Sequence, residues 1–324
     1  MNGLPEFTLA RPASLAEAAA LLAAGARALA GGTDLLPNMR HGLERPQQLV
    51  DLRGIRGLDA IDERDGGLVI GAGVTLARLV GDARIARLLP ALAEAARAVA
   101  GPGHRSAATL GGNLCQDTRC VYYNQSEWWR QANGWCLKRG GDVCHVAPQG
   151  HRCHAAFSGD VAPALLAVRA ELEIAMPGGE RRMPLAQLYR DDGAAHLTLV
   201  PGEFVAQVHV RAAAPGRRSG YRKARARGSI DFPLAGVAVV LSVRDGALAE
   251  LGVALSGTNS MPFLLEGVEP FVGRPVDDAM LAALDKLVQK QVRPMRSTVT
   301  HSNYRRQVAS VLAQRLVREL AGAV

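Results

Sequence analysis

The chain has 324 residues, of which 48% are apolar and 21% are charged, the composition of an ordinary globular protein with room for two or three domains. It contains no apolar run of the roughly 18 residues that a transmembrane helix needs, and its N-terminus lacks a basic region followed by an apolar stretch, so we predict a cytoplasmic protein with no membrane partner. The net charge of +8 is dispersed, and neither of its densest stretches, 217–227 and the last thirty residues, carries a recognisable nucleic-acid-binding motif, so we predict no nucleic-acid partner.

Residues 1–55 are predicted to form a small α/β lobe. Ser14 and Glu17 form a capping box, and apolar residues follow them at helical spacing. Beyond this helix the pattern predicts, in chain order, a strand at 27–30, a glycine turn at 31–34, a short helix at 35–40 and a strand at 48–52.

A second lobe is predicted for residues 56–215. Its pattern indicates, in chain order, a strand at 68–72, one or two helices within 75–100, a second glycine turn at 109–114, a helix at 161–168 and strands at 172–176 and 203–211. The small apolar segment at 212–216 ends in Pro-Gly, which is typical of a linker.

A C-terminal domain is predicted for residues 216–324, where the basic stretch begins directly after the linker. Two strands at 238–243 and 247–255 surround an Arg-Asp-Gly turn, which indicates a hairpin. Helices at 276–289 and 301–320 follow, so the whole chain is predicted to be α+β.

All five cysteines lie between Cys115 and Cys153, and the three tryptophans, Trp128, Trp129 and Trp135, lie in the same window. Four of these cysteines, Cys120, Cys136, Cys144 and Cys153, are separated by fifteen, seven and eight residues. This spacing lacks the C-x-x-C pairs of common zinc and ferredoxin sites. A confined set of thiols still indicates one site, which leaves open an iron–sulfur cluster, a structural zinc ion or metal-free cysteines.

The other residues of this segment are candidate ligands or shields. His145, His151 and His154 are candidate ligands, although loop histidines are more often simply exposed. The tryptophans, with Tyr122 and Tyr123, are expected to shield a cluster from water. Cys115 directly follows Gly-Gly-Asn-Leu and is interpreted as a small buried residue of the second glycine turn.

The two glycine turns, Ala30–Leu36 and Thr109–Asn113, each place backbone N–H groups beside the start of a helix, which favours pyrophosphate binding. One such turn is weak evidence, but two of them allow an extended dinucleotide such as FAD to lie between two lobes. The G-x-G-x-x-G motif of nicotinamide-binding domains is absent.

In this order, the two turns resemble the FAD loops of the flavin subunits of molybdenum hydroxylases, the xanthine dehydrogenase and carbon monoxide dehydrogenase group. The resemblance continues through Gly159–Leu166, through Tyr221-x-Lys223-x-Arg225 and Asp231-x-Pro233-Leu234, and ends at Tyr304-Arg305-Arg306. It covers nearly the whole chain and implies a two-lobed FAD-binding domain of the PCMH-like type, followed by an antiparallel sheet with helices.

An insertion at 117–158 separates the second turn from the Gly159–Leu166 motif. With Gln116–Cys120 and Asn124–Arg130 it resembles the β subunits of 4-hydroxybenzoyl-CoA reductases, in which the inserted loop carries a [4Fe-4S] cluster. The resemblance implies that Cys120, Cys136, Cys144 and Cys153 are the cluster ligands. The cofactor-binding residues that it implies are Leu29, Ala30, Gly31, Gly32, Thr33, Asp34, Leu35, Leu36, Thr109, Leu110, Gly111, Gly112, Asn113, Asp160 and Lys223.

The resemblance also implies an assembly, a dimer of heterotrimers with a large molybdenum-cofactor subunit and a small [2Fe-2S] subunit. In it, electrons from reduced ferredoxin pass through the [4Fe-4S] cluster and FAD of this chain to the [2Fe-2S] clusters and the molybdenum site. There 4-hydroxybenzoyl-CoA loses its hydroxyl group and becomes benzoyl-CoA, so this chain has no catalytic acid or base for substrate.

Other interpretations stay open at this point. Asp160 also suits a helix N-cap, and Lys223 suits a salt-bridge partner on a strand. The chain as a whole also suits an ordinary flavin subunit that serves substrate oxidation by NAD or a quinone, an aldehyde oxidoreductase of the same superfamily, or a zinc-loop interaction protein.

Overall fold

The computed structural model describes residues 3–322, so residues 1, 2, 323 and 324 of the outer predicted domains lie outside the described residues. The first lobe is a three-stranded parallel sheet with the order β1-β3-β2 and two helices. Its elements are β1 (Thr8–Ala10), α1 (Leu15–Ala23), β2 (Arg27–Leu29), α2 (Leu35–Arg40) and β3 (Gln48–Asp51). The capping box is present, since Ser14 Oγ accepts the Glu17 N–H at 3.2 Å, while the Glu17 carboxylate accepts the N–H of Ala13.

The second lobe is built on a five-stranded antiparallel sheet with the order β4-β5-β8-β6-β7. Its elements in chain order are β4 (Ile61–Arg64), β5 (Gly67–Gly71), α3 (Leu76–Gly81), α4 (Ala83–Leu88), α5 (Pro90–Ala98), α6 (Pro102–Ala107), α7 (Leu110–Leu114), α8 (Glu127–Ala132), α9 (Val161–Ala167), β6 (Glu171–Met176), β7 (Gly179–Pro184) and β8 (Phe204–Val210). All seven residues of α9 are buried, because this helix packs between α5 on one side and the C-terminal sheet on the other.

The insertion leaves the lobe after α7 and returns just before α9. Its two ends lie side by side, since Arg119 and Ala156 exchange two backbone hydrogen bonds of 2.8 Å. Within it lie α8 and a 3₁₀ turn at Leu137–Arg139. The N–H of Val121 donates to the carbonyl of Ser297 at 2.9 Å, which ties the start of the insertion to the C-terminal domain.

The C-terminal domain is a four-stranded antiparallel sheet with the order β12-β11-β10-β9, covered by two helices. Its elements are β9 (Arg218–Ala224), β10 (Ala235–Arg244), β11 (Ala247–Ser256), β12 (Phe263–Leu264), α10 (Asp278–Gln291) and α11 (Ser302–Ala321). The hairpin between β10 and β11 turns at Asp245 and Gly246, both with positive φ, as a tight two-residue turn requires. The α+β prediction is confirmed, and so is the predicted C-terminal sheet with two helices.

Several details differ from the sequence pattern. The helical stretch predicted within 75–100 is three helices, because Asp82 caps a new helix and Pro90 begins another. The short, polar elements β4, β7, α6 and α8 were not predicted, since none has enough apolar residues to show a period. Within residues 3–322 no helix is long and apolar enough to cross a membrane. The domain boundaries at 55/56 and 215/216 stay predictions.

Candidate functional site

A cavity of about 900 Å³ lies where the two lobes meet, and residues of both glycine turns line it. This volume is at the upper end of what ligand-binding cavities usually offer, so it suits an extended ligand. Residues 230–232, from the loop between β9 and β10, also line it, so the C-terminal domain contributes one wall.

The first glycine turn is shaped by close contact with the second lobe. A Cβ atom at Gly31 would lie 2.0 Å from the carbonyl oxygen of Ala107, so only glycine allows the two segments to touch. Gly32 has φ of +70°, a conformation that glycine adopts without strain. Within the described residues, the N–H groups of Thr33, Asp34 and Leu35 have no hydrogen-bond acceptor. This turn therefore offers free donors for an anionic group.

The second glycine turn differs, because its donors are already used. The N–H groups of Leu110 and Gly111 donate to the carbonyls of Val74 and Ala72, at 2.9 and 2.8 Å, and that of Gly112 donates to Thr109 Oγ1 at 3.1 Å. A Cβ at Gly111 would lie 2.8 Å from that of Ala72. Its glycines thus allow the backbone to pack closely against the sheet and form the wall of the cavity.

Three buried polar atoms on the cavity wall lack a partner within residues 3–322: Gln116 Nε2, Asp117 Oδ2 and Arg119 Nε. A buried donor or acceptor left without a partner costs about 1–3 kcal/mol, so native proteins rarely leave such atoms unpaired. The residues that carry these atoms line the cavity, but the atoms themselves are shielded from it, so the free N–H groups of the first turn are the stronger sign of an anionic ligand.

Asp160 and Lys223 form a buried ion pair instead of two separate contacts to a ligand. Lys223 Nζ lies 2.9 Å from Asp160 Oδ2, and the Tyr221 hydroxyl donates to Asp160 Oδ1 at 2.6 Å. Asp160 directly precedes α9 but does not cap it through its side chain. Burial raises the pKa of Asp160, while the charge of Lys223 and the two hydrogen bonds oppose that rise.

Most of the predicted cofactor-binding residues line the cavity, but four of them do not. The cavity is lined by Ala30, Gly31, Gly32, Thr33, Asp34, Leu35, Thr109, Gly111, Gly112, Asn113 and Asp160, whereas Leu29, Leu36, Leu110 and Lys223 do not line it. Leu110 is fully buried in the core. Cys115 lines the cavity beside the second turn, and burial raises the pKa of its thiol to about 12.

Sequence reasoning missed Gln116, Arg119, His196, Ile230 and Phe232, all of which line the cavity. Ile230 has φ of +51°, which is rare for a β-branched residue and marks a position with a special constraint. Phe232 packs against the guanidinium of Arg119, whose carbon lies 5.1 Å from the ring centre. Only the Asp231-x-Pro motif pointed to this loop, and no local pattern pointed to His196.

The four predicted ligand cysteines line one small pocket in the insertion. Cys120, Cys136, Cys144 and Cys153 are each at most 8% exposed, and the N–H of Ala155 points to Cys153 Sγ at 3.4 Å. Nowhere in residues 3–322 do three or more His, Cys, Asp or Glu side chains converge closely enough to hold a single metal ion. The iron–sulfur cluster therefore stays a prediction, and the arrangement does not support a mononuclear zinc site.

The neighbours of this pocket also differ in part from expectation. Tyr122, Tyr123 and His145 line it, but none of the tryptophans does, and Trp128 is 75% exposed. The imidazole of His145 is bonded to the carbonyl of Trp135 through Nε2. Of the aromatic residues expected to shield a cluster, only the two tyrosines therefore line the pocket.

Two groups near the pocket, Arg130 and the Cys153 thiol, indicate whether it suits an anionic group. Arg130 is 1% exposed, its hydrogen bonds go only to the backbone carbonyls of Tyr123, Gln125 and His41, and its Nε has no partner in the described chain. Burial raises the pKa of Cys153 to about 12, so without a metal its thiol stays protonated. A metal-bound tetrathiolate group, which is anionic, would supply the countercharge that buried Arg130 lacks.

Comparison with known proteins decides the family. Residues 5–211 match the FAD binding domain in molybdopterin dehydrogenase, and residues 219–320 match the CO dehydrogenase flavoprotein C-terminal domain. This chain belongs to that flavin-subunit family. Its fold is the FAD-binding fold predicted from the two glycine turns, and the chain is an FAD-binding subunit of an oxidoreductase.

Similar proteins support this membership over the full length. The chain is 34% identical over 320 residues to the aldehyde oxidoreductase FAD-binding subunit PaoB of Escherichia coli K12, covering 95% of this chain and 98% of that one. It is 29% identical to the carbon monoxide dehydrogenase medium chain of Afipia carboxidovorans, covering 96% and 95%. The structure superposes on carbon monoxide dehydrogenase of Hydrogenophaga pseudoflava with a TM-score of 0.81 at 25% identity and 99% coverage of both chains. Such relatives are named as medium chains or subunits, each of them one part of a larger enzyme.

Proposed function

We propose that this chain is the flavin and iron–sulfur subunit of a cytoplasmic, molybdenum-containing 4-hydroxybenzoyl-CoA reductase. One observation carries the proposal: four buried cysteines of the insertion line one small pocket, and Lys138 on its wall pairs with Asp117 on the wall of the flavin cavity. The net reaction takes 4-hydroxybenzoyl-CoA, two electrons and two protons to benzoyl-CoA and water. Reduced ferredoxin is the proposed donor, and the proposed assembly is a dimer of heterotrimers.

In this proposal the two cofactors supply one-electron transfer, and the residues of this chain bind and orient them. The N–H groups of Thr33, Asp34 and Leu35 would hold the FAD pyrophosphate, because they are free in the described structure. Gln116 Nε2, which is shielded from the cavity, would reach the same ligand by rotation of its side chain. The second glycine turn would act by close packing, since its own N–H groups are already bonded.

Cys120, Cys136, Cys144 and Cys153 would hold the [4Fe-4S] cluster as thiolates. Their burial excludes water, and Tyr122 and Tyr123 complete the enclosure. Asp160 would keep the wall between the cavity and the C-terminal domain in place through its pair with Lys223, so we assign Lys223 an indirect role.

A second candidate is the flavin subunit of an aldehyde oxidoreductase. The observation that favours it is the 34% identity to PaoB over 95% of this chain. Both candidates place a flavin in the same cavity, and they differ in the substrate that the molybdenum subunit accepts.

Purification of the complete complex without oxygen, followed by visible and EPR spectra before and after dithionite, tests the proposal. We expect flavin bands and a reducible [4Fe-4S] signal that Cys136→Ser abolishes. Cys115→Ser is the matched control, because Cys115 lines the flavin cavity and not the cysteine pocket, so it should keep the signal. Flavin without a [4Fe-4S] signal in the iron-replete complex would refute the iron–sulfur assignment.

Turnover then separates the two candidates. The reductase predicts formation of benzoyl-CoA from 4-hydroxybenzoyl-CoA with a low-potential one-electron donor. Oxidation of an aromatic aldehyde with no turnover of the thioester would favour the second candidate and overturn the first.

A further inference from the structure

Asp117 connects the flavin cavity with the cysteine pocket, because its backbone contacts one site and its side chain contacts the other. Its backbone N–H donates to Asp34 Oδ2 in the first glycine turn at 2.9 Å. Its carboxylate Oδ1 lies 2.5 Å from the ammonium nitrogen of Lys138. Asp34 and Asp117 line the flavin cavity, whereas Lys138 lines the cysteine pocket, so a continuous chain of three residues joins the two sites.

Lys138 is a buried cation at the cysteine pocket. Its side chain is 7% exposed, its ammonium group donates to Thr118 Oγ1 at 2.6 Å, and it lies 4.1 Å from the centre of the Tyr123 ring. Taking an ammonium group out of water is costly, and the flexible lysine side chain elsewhere keeps its charge in solvent. The position of this charge is therefore specific and calls for a functional reason.

Charge in the surrounding network is closely balanced. Arg119 pairs with Asp34 and also donates to Asn38 Oδ1 at 2.9 Å, while Lys138 pairs with Asp117. The two carboxylates and two cations cancel, but they are not evenly placed, because only Lys138 reaches the wall of the cysteine pocket. A group bound by the cysteines would thus have the Lys138 ammonium group on the wall of its pocket and the Asp117 carboxylate beside that ammonium, whereas Arg130 does not line the pocket.

We propose that Lys138 and Asp117 are positioning residues that set the reduction potential of the group held by the cysteines, Lys138 raising it and Asp117 lowering it. This inference rests on the proposed iron–sulfur site. Reduction adds one electron to the bound group without forming or breaking a bond, so the reduced form gains a negative charge. A fixed positive charge nearby favours that form, and a fixed negative charge opposes it, strongly so in a dry pocket.

The test is a redox titration of the anaerobic complex with dithionite, followed by EPR. At a fixed potential, Lys138→Gln should lower the ratio of reduced to oxidised cluster at least tenfold. For a one-electron couple, this corresponds to a reduction potential lower by at least 59 mV. Asp117→Asn should shift the potential in the opposite direction, because it removes the negative charge while keeping the backbone N–H that binds Asp34. Lys138→Arg keeps the charge and should leave the potential nearer that of the wild type than Lys138→Gln does.

Arg139→Gln is the matched control, since Arg139 is adjacent, is partly buried, and donates to the Gly42 carbonyl, but does not line the pocket. Its shift should be less than half that of Lys138→Gln. Shifts of the same sign in Lys138→Gln and Asp117→Asn, or no shift in either, would overturn the inference. If Lys138→Gln fails to assemble a cluster, the sign of the Asp117→Asn shift decides alone. Absence of a [4Fe-4S] signal in the wild type refutes the proposed function instead.

Discussion

His196 is buried in the wall of the flavin cavity. Its pKa differs between the folded and the unfolded chain. Its Nε2 lies 3.0 Å from the carbonyl oxygen of Gln116, which can only accept, so Nε2 carries the proton. Its ring packs 5.9 Å from that of Phe157. Burial lowers the pKa of His196 to about 4, from an ordinary value of 6.5.

This lowered pKa predicts a loss of stability in acid. Between pH 6.5 and 4 the unfolded chain binds a proton at His196 and the folded chain does not, so the free energy of unfolding falls as the pH falls. Because a tenfold difference in proton affinity is worth about 1.4 kcal/mol, the full loss is about 3 kcal/mol. Urea unfolding of wild type and His196→Gln at pH 7 and pH 4.5 should show a smaller acid loss in the variant. An equal loss in both proteins would contradict this assignment.

Gln116 lines the flavin cavity, and its amide nitrogen has no partner in the described chain, so we expect this side chain to rotate and bind FAD. Gln116→Leu should weaken FAD binding by about twofold to tenfold, since a neutral hydrogen bond is worth about 0.5–1.5 kcal/mol. The dissociation constant of FAD, measured from flavin fluorescence, checks this. Gln187→Leu is the control, because Gln187 is exposed and lies outside the cavity. A change of less than twofold in Gln116→Leu would exclude the contact.

The insertion is the element in which buried charge matters most. Arg130 on α8 joins three backbone carbonyls from two segments of the chain, so it adds to the small apolar cluster of the insertion, which includes Tyr123 and Ala155. Hydrogen bonds from a charged donor are worth about 1.5–3 kcal/mol each, and more is lost when their acceptors stay buried. We therefore expect the order of the insertion to depend strongly on this side chain.

Arg130→Met should disorder the insertion, with loss of the iron content specific to this subunit while FAD is retained. Iron and flavin analysis, together with limited proteolysis of the purified complex, would show it. Arg45→Met is the matched control, because Arg45 also contacts α8 but forms an exposed pair with Glu127. Exposed pairs contribute at most about 1 kcal/mol, so this variant should keep its iron. Full iron content in Arg130→Met would refute the role given to Arg130.

Elements that a short stretch of sequence encodes could be predicted, whereas contacts between residues far apart in the sequence could not. The capping box at Ser14, the glycine turns and the hairpin at Asp245 are local patterns, and each was predicted. By contrast, β5 pairs with β8, whose residues lie more than a hundred positions later, and no local period encodes that partner. The same holds within the site, where the resemblance pointed to Asp160 and Lys223 but only the fold shows that they bind each other.

Across the whole molecule, the Asp160–Lys223 pair joins the FAD-binding part to the C-terminal domain. Both side chains are 4% exposed, and Lys223 also donates to the carbonyl of Ala98 at 3.1 Å. Removal of one partner from a buried ion pair leaves the other charge uncompensated, at a cost of about 3–5 kcal/mol. The two parts of the molecule are thus expected to unfold together.

Lys223→Met should therefore lower the free energy of unfolding by about 3–5 kcal/mol, and addition of Asp160→Asn should recover a substantial part of it. Asparagine keeps an acceptor for the Tyr221 hydroxyl but carries no charge. Urea unfolding of the two single variants and the double variant measures the coupling. Additive losses would mean that the two charges do not stabilise each other.

The paired backbone of Arg119 and Ala156 has a consequence for how such proteins diversify and can be engineered. Because the chain leaves and re-enters the lobe at adjacent points, residues 120–155 form a cassette whose removal needs only a short turn to close the gap. Under the proposed function, a flavoprotein frame of this kind would gain or lose a second redox centre in one step. A graft of the cassette onto another flavin subunit of the family would also need its partners in the host, such as the carbonyls of Ser297 and His41.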